Sequence, residues 1–127
     1  MEQKYINHKG SHVLCDFIDV KGNEYILGNF IFNLMVKAIN RTQMNIVHKH
    51  LEILNEDTPC GFTSVLLLDS SHFTCHSYSE LGLLSLDIFT CGPTNVIEVM
   101  EYFRDELIKK YPDSKCTYLK LKKRFRY

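Results

Sequence analysis

The stretch "FTSVLLLDSSHFTCHSYSELGLLSLDIFTC" (62–91) decides the fold, because it holds three strand-like segments separated by short polar turns. The first segment, 62–69, is mostly apolar, as expected of a strand inside a sheet. The second, 72–78, alternates polar and apolar residues, and the third, 83–91, is again rich in apolar residues. A turn at 79–82 joins the last two. These features predict an antiparallel meander.

Three further strands are predicted outside the meander. The segment "SHVLCDFIDV" (11–20) is apolar and β-rich, with Val13, Cys15 and Phe17 on one face. The segment 43–54 alternates in polarity and also reads as a strand. The lysine-rich segment 114–123 is predicted to lie at an edge of the sheet, because lysines discourage pairing with other chains.

Two amphipathic helices are predicted, at 22–42 and 92–111, because apolar residues recur there at spacings of three and four. The second opens with Pro93 and an Asn95 cap, followed by Glu98 three residues later. The apolar stripes are Phe30, Ile31, Leu34, Met35 and Ala38 in the first helix, and Val96, Val99, Met100, Phe103 and Leu107 in the second.

The predicted fold class is α+β, a two-layer sandwich whose antiparallel sheet is covered on one face by two helices, with the order β-α-β-β-β-α-β. A chain of 127 residues with 45% hydrophobic residues fits one domain, 1–127, with a real core. Its formal net charge of zero gives no general attraction to nucleic acid.

Membrane and secretory sequences are also not predicted. No apolar run approaches the roughly 18 residues of a membrane span, and "MEQKYINHKG" (1–10) lacks the apolar core of a signal peptide. Five cysteines without such a signal favour reduced thiols and a cytoplasmic location.

The polar stretch "DSSHFTCHSY" (69–78) raises the question of chemistry. His72, Cys75 and His76 are possible metal ligands, as is the His-x-His pair at 48–50. In a strand, however, residues 72 and 76 share one face while 75 points to the other. Ligand spacings such as CxxC are missing, so no metal site is predicted.

Three interpretations of this stretch remain open from the residues alone. Serine hydrolase chemistry lacks the strand–GxSxG–helix elbow. An ordinary polar hairpin would need no function, since turn serines bond to their own backbone. Alternatively, a turn serine attacks the preceding carbonyl, β-elimination breaks the chain, and a pyruvoyl group remains. Such a ketone can form a Schiff base with a substrate amine and accept electrons from it.

A longer stretch, "SSHFTCHSYSELGLLSLDIFTCG" (70–92), resembles the signature of the small, prokaryotic-type S-adenosylmethionine decarboxylases. The resemblance implies a zymogen that cleaves itself and then decarboxylates S-adenosylmethionine, giving the aminopropyl donor for spermidine and other polyamines. It also implies a homodimer and a pyruvoyl cofactor, without pyridoxal phosphate or metal. The matching positions are Ser71-His72, His76, Glu80 and "DIFTCG" (87–92), supported by "GFTSVLLLD" (61–69) and "GSHVLCDF" (10–17).

The resemblance also implies residue roles. Cleavage between Ser70 and Ser71 would give a beta chain, 1–70, and an alpha chain, 71–127, with Ser71 becoming the pyruvoyl group. The other implied roles are His76 as proton acceptor in processing, Cys91 as proton donor in catalysis, Glu80 as a ligand of the substrate ribose, and Thr63 as a support for processing.

Two departures from the family pattern keep other functions open. Ser70 stands where the family usually has Glu, and "HSYSE" (76–80) replaces the common His-Thr-Trp-Pro-Glu. One alternative is a pyruvoyl-dependent decarboxylase of ornithine or arginine, with Glu56 or Asp57 pairing with the cationic side chain. The other is an unprocessed regulatory or binding homologue, which would not need the serine, histidine and cysteine together.

Overall fold

A single antiparallel sheet with two helices on one face forms the computed structural model, which describes residues 8–56 and 60–126. Within these ranges the strands are ordered β2-β3-β4-β5-β1-β6 across the sheet. The elements along the chain are β1 (His8–Ile18), α1 (Glu24–Asn40), β2 (Ile46–Leu54), β3 (Gly61–Leu68), β4 (Ser71–Tyr78), β5 (Leu83–Thr90), α2 (Val96–Lys110) and β6 (Lys115–Arg126).

The predicted two-layer α+β sandwich is confirmed, with one correction. The order β-α-β-β-β-α-β is one strand short, because the segment at 43–54 precedes the three meander strands and four strands therefore lie between the helices. The meander is present as β3, β4 and β5. β6 lies at an edge, as its lysines predict, and pairs with β1.

The hydrophobic core lies between the sheet and the two helices. All five predicted positions of α2 are buried, as are four of the five in α1, whereas Phe30 is only partly buried. Val13, Cys15 and Phe17 of β1 face this core as predicted. No helix of the described chain is long and apolar enough to cross a membrane.

The other side of the sheet, here called the open face, carries no helix of the described chain. Strand β4 shows the division: alternate residues from Ser71 to Ser77 are buried toward the helices, and those from His72 to Tyr78 lie on the open face. Other open-face residues are His12, Leu14, Thr63, Val65, Leu67, Ser85, Asp87 and Phe89.

The start of α2 is set by its cap. The Asn95 side chain accepts hydrogen bonds from the backbone N–H groups of Ile97, at 3.2 Å, and Glu98, at 3.4 Å. The helix therefore begins at Val96, after the Pro93 turn, rather than at 92. Residues 91–95 consequently form a loop that directly follows β5, and this loop lies against the start of β4.

Candidate active site

The turn between β3 and β4 is held at both of its residues. The Asp69 carboxylate accepts a hydrogen bond from the Ser70 backbone N–H at 3.0 Å. The Asn45 side chain donates to the same carboxylate at 3.3 Å, and the Asp69 N–H donates to the Asn45 carbonyl at 3.2 Å. The loop before β2 thus anchors the turn that contains the predicted cleavage site.

The carbonyl group of Ser70 faces the end of β5. The backbone N–H of Cys91 donates a hydrogen bond to this carbonyl oxygen at 3.3 Å. A backbone N–H in this position stabilises negative charge that develops on a carbonyl oxygen when a nucleophile attacks its carbon. The sequence resemblance implies a role for the thiol of Cys91, and the structure adds a contact between its main chain and the predicted cleavage site.

The hydroxyl group of Ser71 is buried, with the residue 8% exposed. It donates a 2.7 Å hydrogen bond to the Thr90 hydroxyl, which also accepts from the Gly92 N–H at 2.9 Å. Ser71 and Thr90 are direct partners in the β4–β5 ladder. Thr90 was not singled out from sequence, although it stands inside the "DIFTCG" motif; only the strand register shows that it faces the serine.

A cavity of about 200 Å³ lies beside the Ser70–Ser71 peptide. A neighbouring cleft of about 470 Å³ runs between the end of α1 and the start of α2 and shares Gln43, Pro93 and Thr94 with it. The smaller cavity is lined by Gln43, Met44, Asp69, Ser70, Thr90, Gly92, Pro93 and Thr94. There is consequently open space next to the predicted cleavage site on the side of the helix ends.

A second group of predicted site residues lies on the open face. Thr63 and His76 are direct partners in the β3–β4 ladder, and the Thr63 hydroxyl lies 3.1 Å from Nδ1 of His76. Glu80 is exposed in the turn after β4. All three residues lie toward the end of β4 that is remote from Ser71.

One chain alone does not bring the two groups together. Ser71 and His76 are separated by about 16 Å along the extended strand. Their side chains also point to opposite faces of the sheet. The predicted proton acceptor and the predicted pyruvoyl precursor are therefore not neighbours within a protomer.

Three strands contribute to a histidine–aspartate cluster on the open face. One carboxylate oxygen of Asp87 lies 2.7 Å from Nε2 of His12 and 3.2 Å from Nε2 of His72, and the other accepts a hydrogen bond from Thr74. Burial raises the pKa of Asp87, but the hydrogen bonds from Thr74, His12 and His72 outweigh it and hold the pKa below its usual value. His72 also stacks on Phe89, with ring centroids 5.9 Å apart.

The cluster differs from the metal ligands considered in the sequence. His72 and His76 share the open face while Cys75 points into the core, as predicted. The structure instead groups His12, His72 and Asp87, whose ligand atoms lie within 4.8 Å of one another. These atoms could hold a cation, but Asp87 already accepts hydrogen bonds at both oxygens.

The remaining candidates are placed as follows. None of the five cysteines, which all lie in the described ranges, forms a disulfide, and Cys91 is partly buried in the loop after β5. Complete burial raises the pKa of the Cys75 thiol. Glu56 is exposed after β2, whereas Asp57 lies outside the described residues.

Comparison with protein families gives a match over most of the chain. Residues 11–117 match the model of the family described as S-adenosylmethionine decarboxylase. The matched region includes every strand and helix that contributes to the two groups of site residues.

Individual proteins show the same similarity. The chain is 30% identical to an S-adenosylmethionine decarboxylase proenzyme of Aquifex aeolicus, over 82% of this chain and 76% of that protein. It is 26% identical to the proenzyme of Archaeoglobus fulgidus, over 80% of this chain and 93% of that protein. The crystal structure of the adenosylmethionine decarboxylase from Aquifex aeolicus has the same fold, with a TM-score of 0.66, 22% identity, and coverage of 96% of this chain and 95% of that one.

Proposed function

Because this chain belongs to the S-adenosylmethionine decarboxylase family, we propose that it decarboxylates S-adenosylmethionine with a pyruvoyl group made from its own Ser71. The product would be the aminopropyl donor for polyamine synthesis. One observation carries the proposal: the Ser70 carbonyl is held by the Cys91 N–H while the adjacent Ser71 hydroxyl is held by Thr90. Both partners of a self-cleavage reaction are thus fixed beside each other.

The proposed processing begins with an N→O acyl shift. The Ser71 Oγ attacks the Ser70 carbonyl carbon, the peptide C–N bond breaks, and the hydroxyl proton passes to the departing nitrogen. Negative charge that forms on the Ser70 oxygen is stabilised by the Cys91 N–H. The result is an ester between residues 70 and 71.

Elimination then divides the chain. A base removes the Ser71 α-proton, the bond between Cβ and the ester oxygen breaks, and residues 1–70 leave with a terminal carboxylate. The dehydroalanine left at residue 71 takes up water and loses ammonia, which leaves a pyruvoyl group at the start of β4. His76 is proposed as the base, supported by Thr63 at 3.1 Å.

Ser70 in place of the family's usual Glu leaves this chemistry possible. The attacked group is the backbone carbonyl, and its hydrogen bond comes from the backbone of Cys91. The hydrogen bonds that hold the turn are made by Asp69, Asn45 and the main chain of Ser70. We therefore expect processing to proceed with serine at residue 70.

In decarboxylation, the pyruvoyl group supplies a ketone that binds the substrate amine and withdraws electrons as carbon dioxide leaves. Cys91 is proposed to return a proton to the substrate α-carbon, since it lies in the loop whose main chain contacts the cleavage site. Glu80 is proposed to bind the ribose hydroxyls, for which an exposed carboxylate is a suitable acceptor.

Two copies of the chain are proposed to pair through their open faces. Leu14, Val65, Leu67, Tyr78 and Phe89 place apolar area on this face, and no described element covers it. A second copy packed face to face would bury these side chains at the usual separation of about 10 Å between sheets. The same patch would serve both subunits, as twofold symmetry requires.

Such pairing would also complete the site. If the two β4 strands run antiparallel across the twofold axis, the end of one strand lies over the start of the other. His76, Thr63 and Glu80 of one copy would then lie over the main chain at the start of β4 in the second copy, on the side of the sheet opposite the Ser71 side chain. The separation of these groups within one chain supports a shared site.

The alternatives are not favoured. The relatives are named as S-adenosylmethionine decarboxylase proenzymes rather than as decarboxylases of ornithine or arginine. An unprocessed binding homologue would have no need of the fixed geometry at Ser70 and Ser71. A reducing, cytoplasmic location is proposed, because such a compartment keeps cysteines as thiols, as all five are here.

Release of labelled carbon dioxide tests the proposed substrate. The purified protein is incubated separately with carboxyl-labelled S-adenosylmethionine, ornithine and arginine, and Ser71→Ala serves as the inactive control. We expect release from S-adenosylmethionine and none from the two amino acids. Release from ornithine or arginine alone would contradict the proposed substrate.

A further inference from the structure

Two thiols lie in contact between neighbouring strands. Sγ of Cys15, in β1, is 3.7 Å from Sγ of Cys116, in β6. The β1–β6 register shifts between Asp16 and Phe17, and this irregularity places Cys116 opposite Phe17, two residues along β1 from Cys15, rather than opposite Ile18. Neither thiol belongs to the two groups of site residues described above.

We propose that Cys15 and Cys116 form a disulfide when the protein meets a peroxide, and that this bond covalently joins the two chains of the processed protein. The second part rests on the proposed function. Cleavage between Ser70 and Ser71 would leave Cys15 in the chain 1–70 and Cys116 in the chain 71–127. These chains would otherwise be held together only by non-covalent contacts.

The geometry requires little movement. A disulfide has sulfurs about 2.05 Å apart, so the pair would approach by about 1.7 Å in total. Cys15 is fully buried in the core, whereas Cys116 is partly buried in the edge strand. Because β6 pairs with β1 alone, it can shift toward Cys15 without disturbing another strand.

The two thiols have different roles in the oxidation. Burial, together with the neighbouring Cys116, raises the pKa of Cys15, so this thiol is a poor first nucleophile. Cys116 is nearer to solvent and meets the peroxide first. Its thiolate attacks one peroxide oxygen, the O–O bond breaks, and a sulfenic acid forms while the other oxygen leaves as water.

The second step closes the bond. The Cys15 sulfur attacks the Cys116 sulfur, and the S–O bond breaks. The hydroxide leaves with the Cys15 proton as water. The two thiols together lose two electrons and two protons, and the peroxide is reduced to two waters. A dithiol such as dithiothreitol reverses the bond by exchange.

The disulfide would join two neighbouring strands that belong to different chains after cleavage. β1 lies in one chain of the processed protein and β6 in the other, and they pair along most of their length. With the disulfide formed, unfolding no longer separates the chains 1–70 and 71–127 of one copy, so these two chains do not have to find each other again during refolding. The reduced protein lacks this link.

Intact mass spectrometry without reductant tests the proposal. The protein is treated with hydrogen peroxide, remaining thiols are blocked by alkylation, and the mass is measured under denaturing conditions before and after dithiothreitol. We expect one species near the full mass of 14.9 kDa, which splits into two chains on reduction. Peptide mapping should identify the Cys15–Cys116 link.

Variants separate this pair from the other thiols. Cys116→Ser should abolish the link, and Cys116→Ala repeats the test with a different replacement. Cys60→Ser is the matched control, since it also removes one partly buried thiol, and it should leave the link in place. A link that survives in both Cys116 variants would overturn the proposal.

The uncut variant separates this proposal from the proposed function. Ser71→Ala should remain a single chain and should still form the Cys15–Cys116 bond on oxidation. If Cys15 and Cys116 are both alkylated in folded Ser71→Ala after peroxide treatment, the proposed disulfide is wrong, whatever the result for self-cleavage. If the wild-type protein forms the disulfide but stays uncut, the thiol pair is correct and the proposed link between two chains is wrong.

Discussion

Thr90 is the residue through which the sheet positions Ser71, the proposed nucleophile. Its hydroxyl accepts hydrogen bonds from Ser71 and from the Gly92 N–H, and thereby connects the start of β4 to the loop after β5. Without this oxygen, the buried Ser71 hydroxyl loses the acceptor of its hydrogen bond. Thr90 would be a positioning residue for self-cleavage rather than a group that reacts.

A change at Thr90 therefore tests the processing geometry. Thr90→Val keeps the shape of the side chain and removes the oxygen, so we expect self-cleavage to slow by about tenfold or more. Thr90→Ser retains the hydroxyl and should process at nearly the wild-type rate. The cleaved fraction is followed over time from the start of cell-free synthesis, and an unchanged rate in Thr90→Val would contradict the role.

At the scale of elements, the Asp87 cluster links β5 to β1 through His12 and to β4 through His72. The folded state holds the Asp87 pKa below its unfolded value of about 3.9. The charged carboxylate consequently stabilises the fold above that pH, and this contribution is lost as the pH falls through the folded pKa.

Asp87→Asn should accordingly lower the free energy of unfolding by about 1 to 3 kcal/mol at pH 7. The difference from wild type should shrink as the pH falls below about 4, because the unfolded carboxylate is protonated there and the folded one follows at lower pH. Urea unfolding between pH 3 and pH 7 measures both effects. Asp105→Asn, at an exposed ion pair with Arg104, is the control and should cost less than about 1 kcal/mol. A pH-independent difference for Asp87→Asn would contradict the account.

Periodicity made much of this fold predictable. The α2 stripe from Val96 to Leu107 was predicted because apolar spacing fixes which face of a helix is buried. The alternation of side chains along β4 likewise predicted that His72 and His76 lie on the same face of the sheet. The Asn95 cap was predicted because few side chains can satisfy the first N–H groups of a helix.

Spatial neighbours could not be predicted in the same way. Alternation shows which side of a strand a residue faces, but not which strand lies beside it. The contacts of Ser71 with Thr90, of His12 with Asp87 and of Cys15 with Cys116 all depend on the strand order. The last two depend on β1 entering between β5 and β6, far from its neighbours in sequence.

At the scale of the whole molecule, the proposed dimer divides each site between two chains. Ser71→Ala lacks the proposed nucleophile and His76→Ala lacks the proposed base, so neither variant alone should process normally. In a mixed dimer, a chain with intact Ser71 would receive His76 from the Ser71→Ala chain. We therefore expect co-expression to restore cleavage of the His76→Ala chain only.

Chains that differ in mass through a terminal tag make this result visible by intact mass spectrometry. Co-expression of His76→Ala with the double variant Ser71→Ala, His76→Ala is the control and should restore nothing. If the His76→Ala chain stays uncut beside Ser71→Ala, the shared site is wrong. Normal cleavage of His76→Ala alone would contradict the role of His76 itself.

The most direct test of self-cleavage and pyruvoyl formation is the intact mass of the purified wild-type protein after denaturation and reduction. The account predicts two chains of roughly 7 to 8 kDa, corresponding to residues 1–70 and to residues 71–127 with a pyruvoyl group in place of Ser71. Ser71→Ala should give a single chain. A single uncut wild-type chain of 14.9 kDa would contradict the account.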